Sequence, residues 1–174
     1  MPVQPAATVA PLRDGPRGLE VLLVQRGPAL VFAPGAWVFP GGRVDAADHR
    51  DGAERAPRLA AVREAAEEAG LLLDPDALVE VAHWTTPPGQ VRRYATWFFV
   101  ADANRCGGVR VDGVEAVDYR WLTPAEALAA GRQHHLTLIR PTIATLTELQ
   151  DFADVAAALA GFAARASGHH APPA

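Results

Sequence analysis

The chain is poor in several residue types and sequence features, and each absence excludes a class of protein. All 16 basic residues are arginine, so no lysine is available to form a Schiff base. The single cysteine, Cys106, can neither close an intrachain disulfide nor supply a cysteine-based zinc site. The longest uncharged stretch, residues 27–42, is interrupted by three prolines and four glycines. It therefore cannot provide the roughly 18 consecutive apolar residues of a membrane-spanning helix.

Length and charge narrow the class further. The 174 residues suggest a single domain, 1–174, and we expect its core at about 6–166 and a flexible tail at 167–174. With 49% hydrophobic and 21% charged residues, the chain can bury a normal core. A net charge of −4 argues against a nucleic-acid footprint over the whole surface. No basic segment precedes Arg13, so we expect no secretory signal and a cytoplasmic protein that binds neither nucleic acid nor membrane.

Hydrophobic patterning predicts strands and helices mixed around one core. Strands are predicted at residues 6–12, 19–25, 78–84, 91–101 and 116–122, with the first four forming two hairpins. Helices are predicted at residues 58–69, 124–130, 142–150 and 154–165. Gly70 stands where a left-handed helix cap belongs, and Thr123 and Glu126 form a capping box. This succession indicates an α/β or α+β domain.

The first predicted helix carries an acidic stripe. At 100° per residue, Glu64, Glu67 and Glu68 fall within an arc of about 100°. The opposite side, which we expect to pack on a sheet, consists of Leu59, Val62, Ala66 and Ala69. A solvated helix face is the simplest explanation, but neighbouring like charges each cost a few tenths of a kcal/mol. Mg²⁺ binding to carboxylate oxygens would offset that repulsion.

A double glycine upstream favours the metal-site interpretation. Gly41 and Gly42 follow a short apolar run that begins at Trp37. Glycine lets the backbone approach a ligand closely, although a hairpin turn alone would also explain the pair. The combination of this turn with the acidic helix is much rarer than either feature alone.

These residues resemble the signature of the Nudix hydrolases, G-x5-E-x7-R-E-U-x-E-E-x-G-U, in which U is a bulky aliphatic residue. Residues 63–71 match its second half, with a small Ala65 where a bulky residue is usual. Asp48 stands six residues after Gly42, where the family has Glu. Fourteen residues instead of seven separate Asp48 from Arg63, and the extra residues lengthen the loop before the helix.

The rest of the chain resembles the branch of this superfamily that includes coenzyme A diphosphatases and has an insertion in the Nudix box. The similarity involves residues 39–45, 83–87, 92–99, 121–127 and 140–142. A coenzyme A signature of the type L-L-T-x-R-S-x3-R-x3-G-x3-F-P-G-G is half kept. Leu22, Leu23, Arg26, Gly35 and residues 39–42 fit it, whereas Val24, Gly27 and Val31 do not.

The resemblance implies an α/β/α sandwich with a mixed sheet and a pyrophosphatase that uses Mg²⁺ or Mn²⁺. Its substrate would be a nucleoside diphosphate linked to another moiety, with coenzyme A or acyl-coenzyme A as the first candidate. An ADP-ribose- or NADH-type dinucleotide is the alternative. A second class, a non-catalytic nucleotide-sensing module, remains open.

The resemblance also assigns site residues. The implied metal ligands are Glu64, Glu67 and Glu68 together with the carbonyl of Gly41. The general base is Glu64 as first choice or Glu115 as second, and Arg63 orients the glutamates of the box.

Four further residues are candidate substrate contacts. The guanidinium groups of Arg26, Arg43 and Arg92 suit phosphate, and Trp37 could stack a base. Each also has a simpler explanation, as a surface arginine or a core aromatic residue. The alanine-rich helix at residues 154–165 offers a surface for a homodimer.

Overall fold

The computed structural model describes residues 2–90 and 92–166. It contains seven strands, β1 Gln4–Gly15, β2 Gly18–Arg26, β3 Trp37–Val38, β4 Gly41–Arg43, β5 Val79–Thr85, β6 Tyr94–Asp102 and β7 Ala116–Leu122. The helices are α1 Ala56–Ala69, α2 Pro124–Arg132, α3 Arg140–Leu149 and α4 Val155–Ala166, with short 3₁₀ helices at Ala46–Asp51 and Pro75–Ala77. Every predicted strand and helix is present. Val91 and the tail expected at 167–174 lie outside the described residues.

The strands form one mixed sheet. β1 runs parallel to β6, whereas β1 with β2, β5 with β6 and β2 with β7 are antiparallel. The two predicted hairpins are therefore confirmed. The predicted fold class, an α+β domain with a mixed sheet, is also confirmed.

The strands β1 and β2 separate and enclose a later segment of the chain. They pair from Gly15 opposite Gly18 to Leu12 opposite Val21. Beyond this point β3 pairs with β2 and β4 pairs with β1, so residues 37–43 fill the fork between the two long strands. The Thr8 hydroxyl donates a 2.6 Å hydrogen bond to the carbonyl of Pro40 and fixes the segment there. The double glycine is thereby held inside the sheet.

Helices cover both faces of the sheet. Helix α1 packs on one face, where small side chains bring it close to the strands. Helices α2, α3 and α4 pack on the other face around Phe162 and Leu146. This is the predicted helix–sheet–helix sandwich. No helix within residues 2–90 and 92–166 is long and apolar enough to cross a bilayer.

The buried side of α1 differs from the expected one. Ala61 and Ala65 are fully buried, whereas Val62 and Ala66, which were expected to face the sheet, are only half-buried. The sheet-facing side is rotated toward the glutamates, and Glu64 itself is buried. Alanine allows the close contact, and the fork beside β4 accepts the carboxylates.

The predicted ends of two helices are confirmed. Gly70 caps α1 in the left-handed conformation, with φ of 68°. At the start of α2, the Glu126 carboxylate accepts a 2.9 Å hydrogen bond from the Thr123 backbone N–H, and the Glu126 N–H donates to the Thr123 hydroxyl. These local signals depend on few residues, so the sequence reveals them directly.

Candidate active site

Three carboxylates from two distant segments of the chain converge at the fork. Glu64 and Glu68 lie one turn apart on α1, and Glu115 lies in the loop that leads into β7. Each offers a carboxylate oxygen, and these oxygens all lie within 4.8 Å of one another. Glu64 and Glu68 are buried, whereas Glu115 is exposed. We refer to these three residues as the carboxylate cluster.

The double glycine lies directly against the cluster. The Gly41 backbone N–H donates a 3.1 Å hydrogen bond to Oε2 of Glu68. A Cβ atom on Gly42 would lie 2.3 Å from Oε1 of Glu64. Glycine is therefore required at position 42 because a larger residue would displace the carboxylate, while its φ is not in the left-handed region.

Burial and like charge shift the acidity of the cluster. Burial, followed by the negative charge of Glu64, raises the pKa of Glu68 to about 8. The Gly41 N–H and the positive charge of Arg26 oppose this shift. Burial also raises the pKa of Glu64, although the Arg63 guanidinium counteracts it. The two carboxyls therefore hold protons more tightly than exposed glutamates do.

Arg63 connects the cluster to neighbouring acidic residues. Its guanidinium donates to Oε1 of Glu64 at 2.8 Å and to Oε2 of Glu67 at 3.2 Å. It also donates at 3.0 and 3.2 Å to the two carboxylate oxygens of Asp48, and at 2.9 Å to the carbonyl of Arg43. The hydrogen bond to Asp48 is the largest influence on the pKa of Arg63, which is raised. This geometry fits the role that the sequence analysis assigned to Arg63, orientation of the helix glutamates.

Asp48 is the buried anchor of this arginine. Its carboxylate has no exposed surface and accepts a 2.8 Å hydrogen bond from the backbone N–H of Asp45. Burial alone would raise the pKa of Asp48, but the hydrogen bonds from Arg63 and Asp45 and the positive charges of Arg63 and Arg50 hold it below the ordinary value. Despite the longer separation in sequence, the 3₁₀ helix Ala46–Asp51 brings Asp48 to Arg63.

Residues 2–141 match the family model of the NUDIX domain. The chain belongs to the NUDIX domain family. Among curated proteins, the putative nudix hydrolase 7 of Caenorhabditis elegans is 27% identical over 78% of this chain and 57% of its own length. The acyl-coenzyme A diphosphatase NUDT19 of Homo sapiens is 26% identical over 87% of this chain and 66% of its own length. The chain thus spans 57–66% of the length of these curated relatives.

Solved Nudix structures share the fold. A NUDIX hydrolase from Alicyclobacillus acidocaldarius superposes with a TM-score of 0.83 at 27% identity, covering 92% of this chain and 96% of that one. The NUDIX domain of Shewanella oneidensis NrtR, solved with ADP ribose, has a TM-score of 0.65 at 16% identity and covers 87% of this chain and 88% of its own. At that lower identity the likeness shows the fold alone.

Two other predicted metal ligands, Glu67 of the Nudix box and Gly41 just before it, lie differently from Glu64 and Glu68. The Glu67 side chain is 59% exposed, is paired with Arg63 and does not belong to the carboxylate cluster. Gly41 contacts Glu68 through its N–H. Coordination by Glu67 or by the Gly41 carbonyl therefore stays a prediction.

The predicted substrate contacts are dispersed. Arg26, at the end of β2, is near enough to lower the pKa of Glu68 by its charge, and its Nε donates to the carbonyl of Phe32 at 2.8 Å. Arg43 and Arg92 are exposed. Trp37 is only 4% exposed and belongs to the core beneath α2, α3 and α4, so a base could stack on it only after its neighbours moved.

Two residues that contact the predicted site residues Arg26 and Glu115 were not predicted from the sequence. Phe32 is 42% exposed and makes an edge contact with Tyr94 at 6.0 Å between ring centroids. Asp112 hydrogen-bonds the backbone of the loop that carries Glu115. The Asp112-Gly113 dipeptide is a recognisable turn signal, but only the fold brings that turn to the cluster.

Proposed function

We propose that this protein hydrolyses the phosphoanhydride bond of a nucleoside diphosphate linked to another moiety, using a divalent cation held by Glu64, Glu68 and Glu115. The observation that carries the proposal is the convergence of these three carboxylates within 4.8 Å. Membership of the NUDIX domain family supports it, and relatives named as hydrolases align with most of the chain.

The donor set fits Mg²⁺ or Mn²⁺. Hard divalent cations prefer oxygen ligands, and the cluster offers carboxylate oxygens only. Two unit charges 4 Å apart repel by about 4 kcal/mol at an effective dielectric constant of 20, so buried carboxylates this close require compensation. The pKa of about 8 for Glu68 indicates that protons supply it when no cation is bound. When bound, such a cation neutralises phosphate charge and acidifies a water molecule.

The surrounding residues keep the cluster in place. Arg63 fixes one oxygen of Glu64, and the Gly41 N–H fixes one oxygen of Glu68. Preorganised ligands lose little conformational freedom on binding, which favours both cation affinity and a defined position for the phosphate. Glu64 remains our first candidate and Glu115 our second for the group that takes the proton from the attacking water.

We propose coenzyme A or acyl-coenzyme A as the substrate. The human and Xenopus laevis relatives named acyl-coenzyme A diphosphatase align with 87% and 88% of this chain. Arg26, which the half-kept coenzyme A signature includes, is close enough to Glu68 to lower its pKa. A guanidinium at that place can contact a phosphate bound to the cluster. The alternatives are an ADP-ribose- or NADH-type dinucleotide and a nucleotide-sensing module without catalysis.

The test is a product assay with defined substrates. The purified protein is incubated with Mg²⁺ or Mn²⁺ and coenzyme A, acetyl-coenzyme A, ADP-ribose or NADH in ¹⁸O-labelled water, and products are identified by mass spectrometry. We expect two phosphomonoesters from each substrate that is cleaved, one of them carrying ¹⁸O. Coenzyme A should be cleaved with the highest kcat/KM, and a strong preference for ADP-ribose would instead favour the dinucleotide alternative.

Variants connect that activity to the cluster. Glu68→Gln should abolish turnover, whereas Glu80→Gln, which changes an exposed glutamate on β5, should leave it unchanged. Full activity of Glu68→Gln, or nucleotide binding in calorimetry without turnover of any substrate, would contradict the proposal. Glu64→Gln and Glu115→Gln, each assayed at saturating cation, distinguish the two candidate bases, because only loss of the base then removes the acidic limb of the pH profile of kcat.

A further inference from the structure

Glu115 reaches the carboxylate cluster from an exposed loop, so its position requires an explanation outside α1. The explanation lies three residues upstream, at Asp112. Oδ1 of Asp112 accepts hydrogen bonds from the backbone N–H groups of Val114, Glu115 and Ala116 at 3.0, 3.0 and 2.9 Å. Oδ2 accepts a second bond from the Glu115 N–H at 3.3 Å. One carboxylate thus organises three successive backbone donors around Glu115.

The same turn is held from its other side by Gly27. The Gly27 N–H donates a 2.9 Å hydrogen bond to the carbonyl of Glu115. A Cβ atom on Gly27 would lie 2.1 Å from the carbonyl oxygen of Val114, so only glycine permits this contact. Gly113 completes the turn, with φ of 79° and an N–H that donates to the carbonyl of Ala116 at 2.8 Å. Both the N–H and the carbonyl of Glu115 are therefore engaged.

We propose that Asp112 is a positioning residue that preorganises Glu115 for cation binding at the carboxylate cluster. The proposal rests on the role of Glu115 in the proposed function. Without Asp112, three backbone N–H groups lose their acceptor, and the loop samples conformations in which the Glu115 carboxylate lies away from Glu64 and Glu68. The cost of reordering the loop then reduces cation affinity.

The contact pattern also predicts which substitutions preserve the effect. Three of the four hydrogen bonds end on Oδ1, and an asparagine side chain has an oxygen that can accept them. Asp112→Asn should therefore retain most of the positioning, whereas Asp112→Ala removes it. A charge effect on the cluster would instead change Mn²⁺ affinity equally in the two variants, because both substitutions remove the same negative charge.

A double-mutant cycle on Mn²⁺ binding tests the proposal. Mn²⁺ affinity is measured by electron paramagnetic resonance, without nucleotide, for the wild type, Asp112→Ala, Glu115→Ala and the double variant. We expect Asp112→Ala to weaken binding about tenfold, the lower end of the range for groups that orient metal ligands, and Glu115→Ala to weaken it at least as much. The double variant should bind no more weakly than Glu115→Ala, because Asp112 acts through Glu115. Losses that multiply in the double variant would overturn the proposal.

Hydrogen exchange and a matched control separate positioning from general destabilisation. Asp112→Ala should accelerate amide exchange at residues 114–116, and Asp112→Asn should restore most of the Mn²⁺ affinity. The control is Asp102→Ala, which removes a comparable bond to the N–H of Asn104. It should leave Mn²⁺ affinity unchanged. Accelerated exchange with unchanged Mn²⁺ affinity in Asp112→Ala would overturn the proposal.

Two further results remain decisive. If Asp112→Ala does not fold, Gly27→Ala displaces the turn from its other side and should cause the same loss of Mn²⁺ affinity; an unchanged affinity would contradict the proposal. If Glu115→Ala binds Mn²⁺ like the wild type while the wild type hydrolyses coenzyme A, the inference fails and Glu115 is removed from the proposed cation ligands, whereas the proposed hydrolysis stands. If the double-mutant cycle gives the expected Mn²⁺ affinities but the wild-type protein cleaves no nucleotide, the inference stands and the proposed function is rejected.

Discussion

The backbone of Gly42 faces the carboxylate of Glu64 so closely that a Cβ atom at position 42 would lie 2.3 Å from Oε1 and 2.6 Å from Cδ. This contact links the fork in the sheet to the carboxylate cluster. The absence of a side chain at position 42 therefore leaves the space that the Glu64 carboxylate occupies.

Gly42→Ala should reduce activity more than stability. The methyl group would displace the Glu64 side chain, whose far end can move, while the backbone remains in place. We expect kcat to fall by about tenfold or more, equivalent to roughly 1.4 kcal/mol in the barrier. The measurement is steady-state kinetics on the wild type and the variant, together with thermal melting.

The chain offers two matched controls for this substitution. A Cβ atom on Gly108 would meet no atom within 4 Å, so Gly108→Ala should leave kcat unchanged. A Cβ atom on Gly41 would lie 2.6 Å from the carbonyl oxygen of Ala7, which is backbone, so Gly41→Ala should destabilise the fold. Equal kinetics for Gly42→Ala and Gly108→Ala would refute the importance of this contact.

Asp48→Ala should destabilise the protein and also weaken catalysis. The substitution leaves Arg63, whose side chain is 25% exposed, without its buried partner. Breaking a fully buried pair costs about 3–5 kcal/mol, and partial exposure of the arginine lowers our expectation to about 2–3 kcal/mol. Urea unfolding measures this loss, and kcat should fall because Arg63 no longer holds Glu64 in one position.

Asp45→Ala is the control for that experiment. The Asp45 side chain is 54% exposed and its carboxylate lies 3.6 Å from Arg63, so its removal should change stability by less than about 1 kcal/mol. Equal losses for Asp48→Ala and Asp45→Ala would contradict a special role for the buried carboxylate.

The stability that Asp48 contributes should also depend on pH. The pKa of Asp48 is lowered, so its contribution to stability is present above its ordinary pKa of 3.8 and is lost as pH falls through the folded-state value.

Local signals account for what the sequence predicted well. The αL cap at Gly70 and the capping box at Thr123 each involve a few neighbouring residues, so the ends of α1 and α2 are evident in the sequence. The bounds of β7 match those predicted, because a glycine turn precedes the strand and the capping box follows it. Glu64 and Glu68 could be placed together because helical periodicity alone sets their spacing.

What was missed depends on long-range packing. The contact between Asp48 and Arg63 depends on the path of the chain between them, which the sequence pattern does not determine. The buried side of α1 was misjudged because apolar residues were assumed to face the sheet, whereas the fork accepts the carboxylate of Glu64. The near-complete burial of Trp37 was also not determined by the sequence, because a core aromatic residue and a stacking surface have the same local pattern; base stacking on Trp37 stays a prediction.

Glu68→Gln should stabilise the cation-free protein while abolishing its activity. Glutamine keeps an oxygen that can accept the hydrogen bond from the Gly41 N–H but removes a buried negative charge. At about pH 8 we expect the cation-free variant to be more stable than the wild type by about 1 kcal/mol or more, because it avoids the repulsion from Glu64. Its kcat should fall by at least about 100-fold, beyond the usual effect of groups that only orient ligands.

Thermal melting in a chelating buffer and kinetics in Mg²⁺ are the two measurements for this variant. Added Mg²⁺ should raise the Tm of the wild type and have a much smaller effect on Glu68→Gln, because the variant lacks one carboxylate of the cluster. A variant that is less stable than the wild type without cations, and that retains activity, would show that Glu68 is a structural residue.

The stability of the cation-free protein should fall as pH rises from about 5 to about 8. Glu68 has an ordinary pKa of 4.5 and a folded-state pKa of about 8, so between these values the folded chain binds more protons than the unfolded chain. Burial of the Glu68 carboxyl is therefore tolerated at low pH, where it is protonated, and lowers the stability of the folded protein as the carboxyl ionises. Melting temperatures across this range in a chelating buffer should decline, with a shallower decline in Glu68→Gln.

Saturating Mn²⁺ should remove most of this decline in melting temperature, because the cation stabilises the ionised carboxylate that the cation-free site disfavours. A wild-type Tm that rises from about pH 6 to about pH 8 without cations would show that Glu68 is ionised in the folded protein throughout.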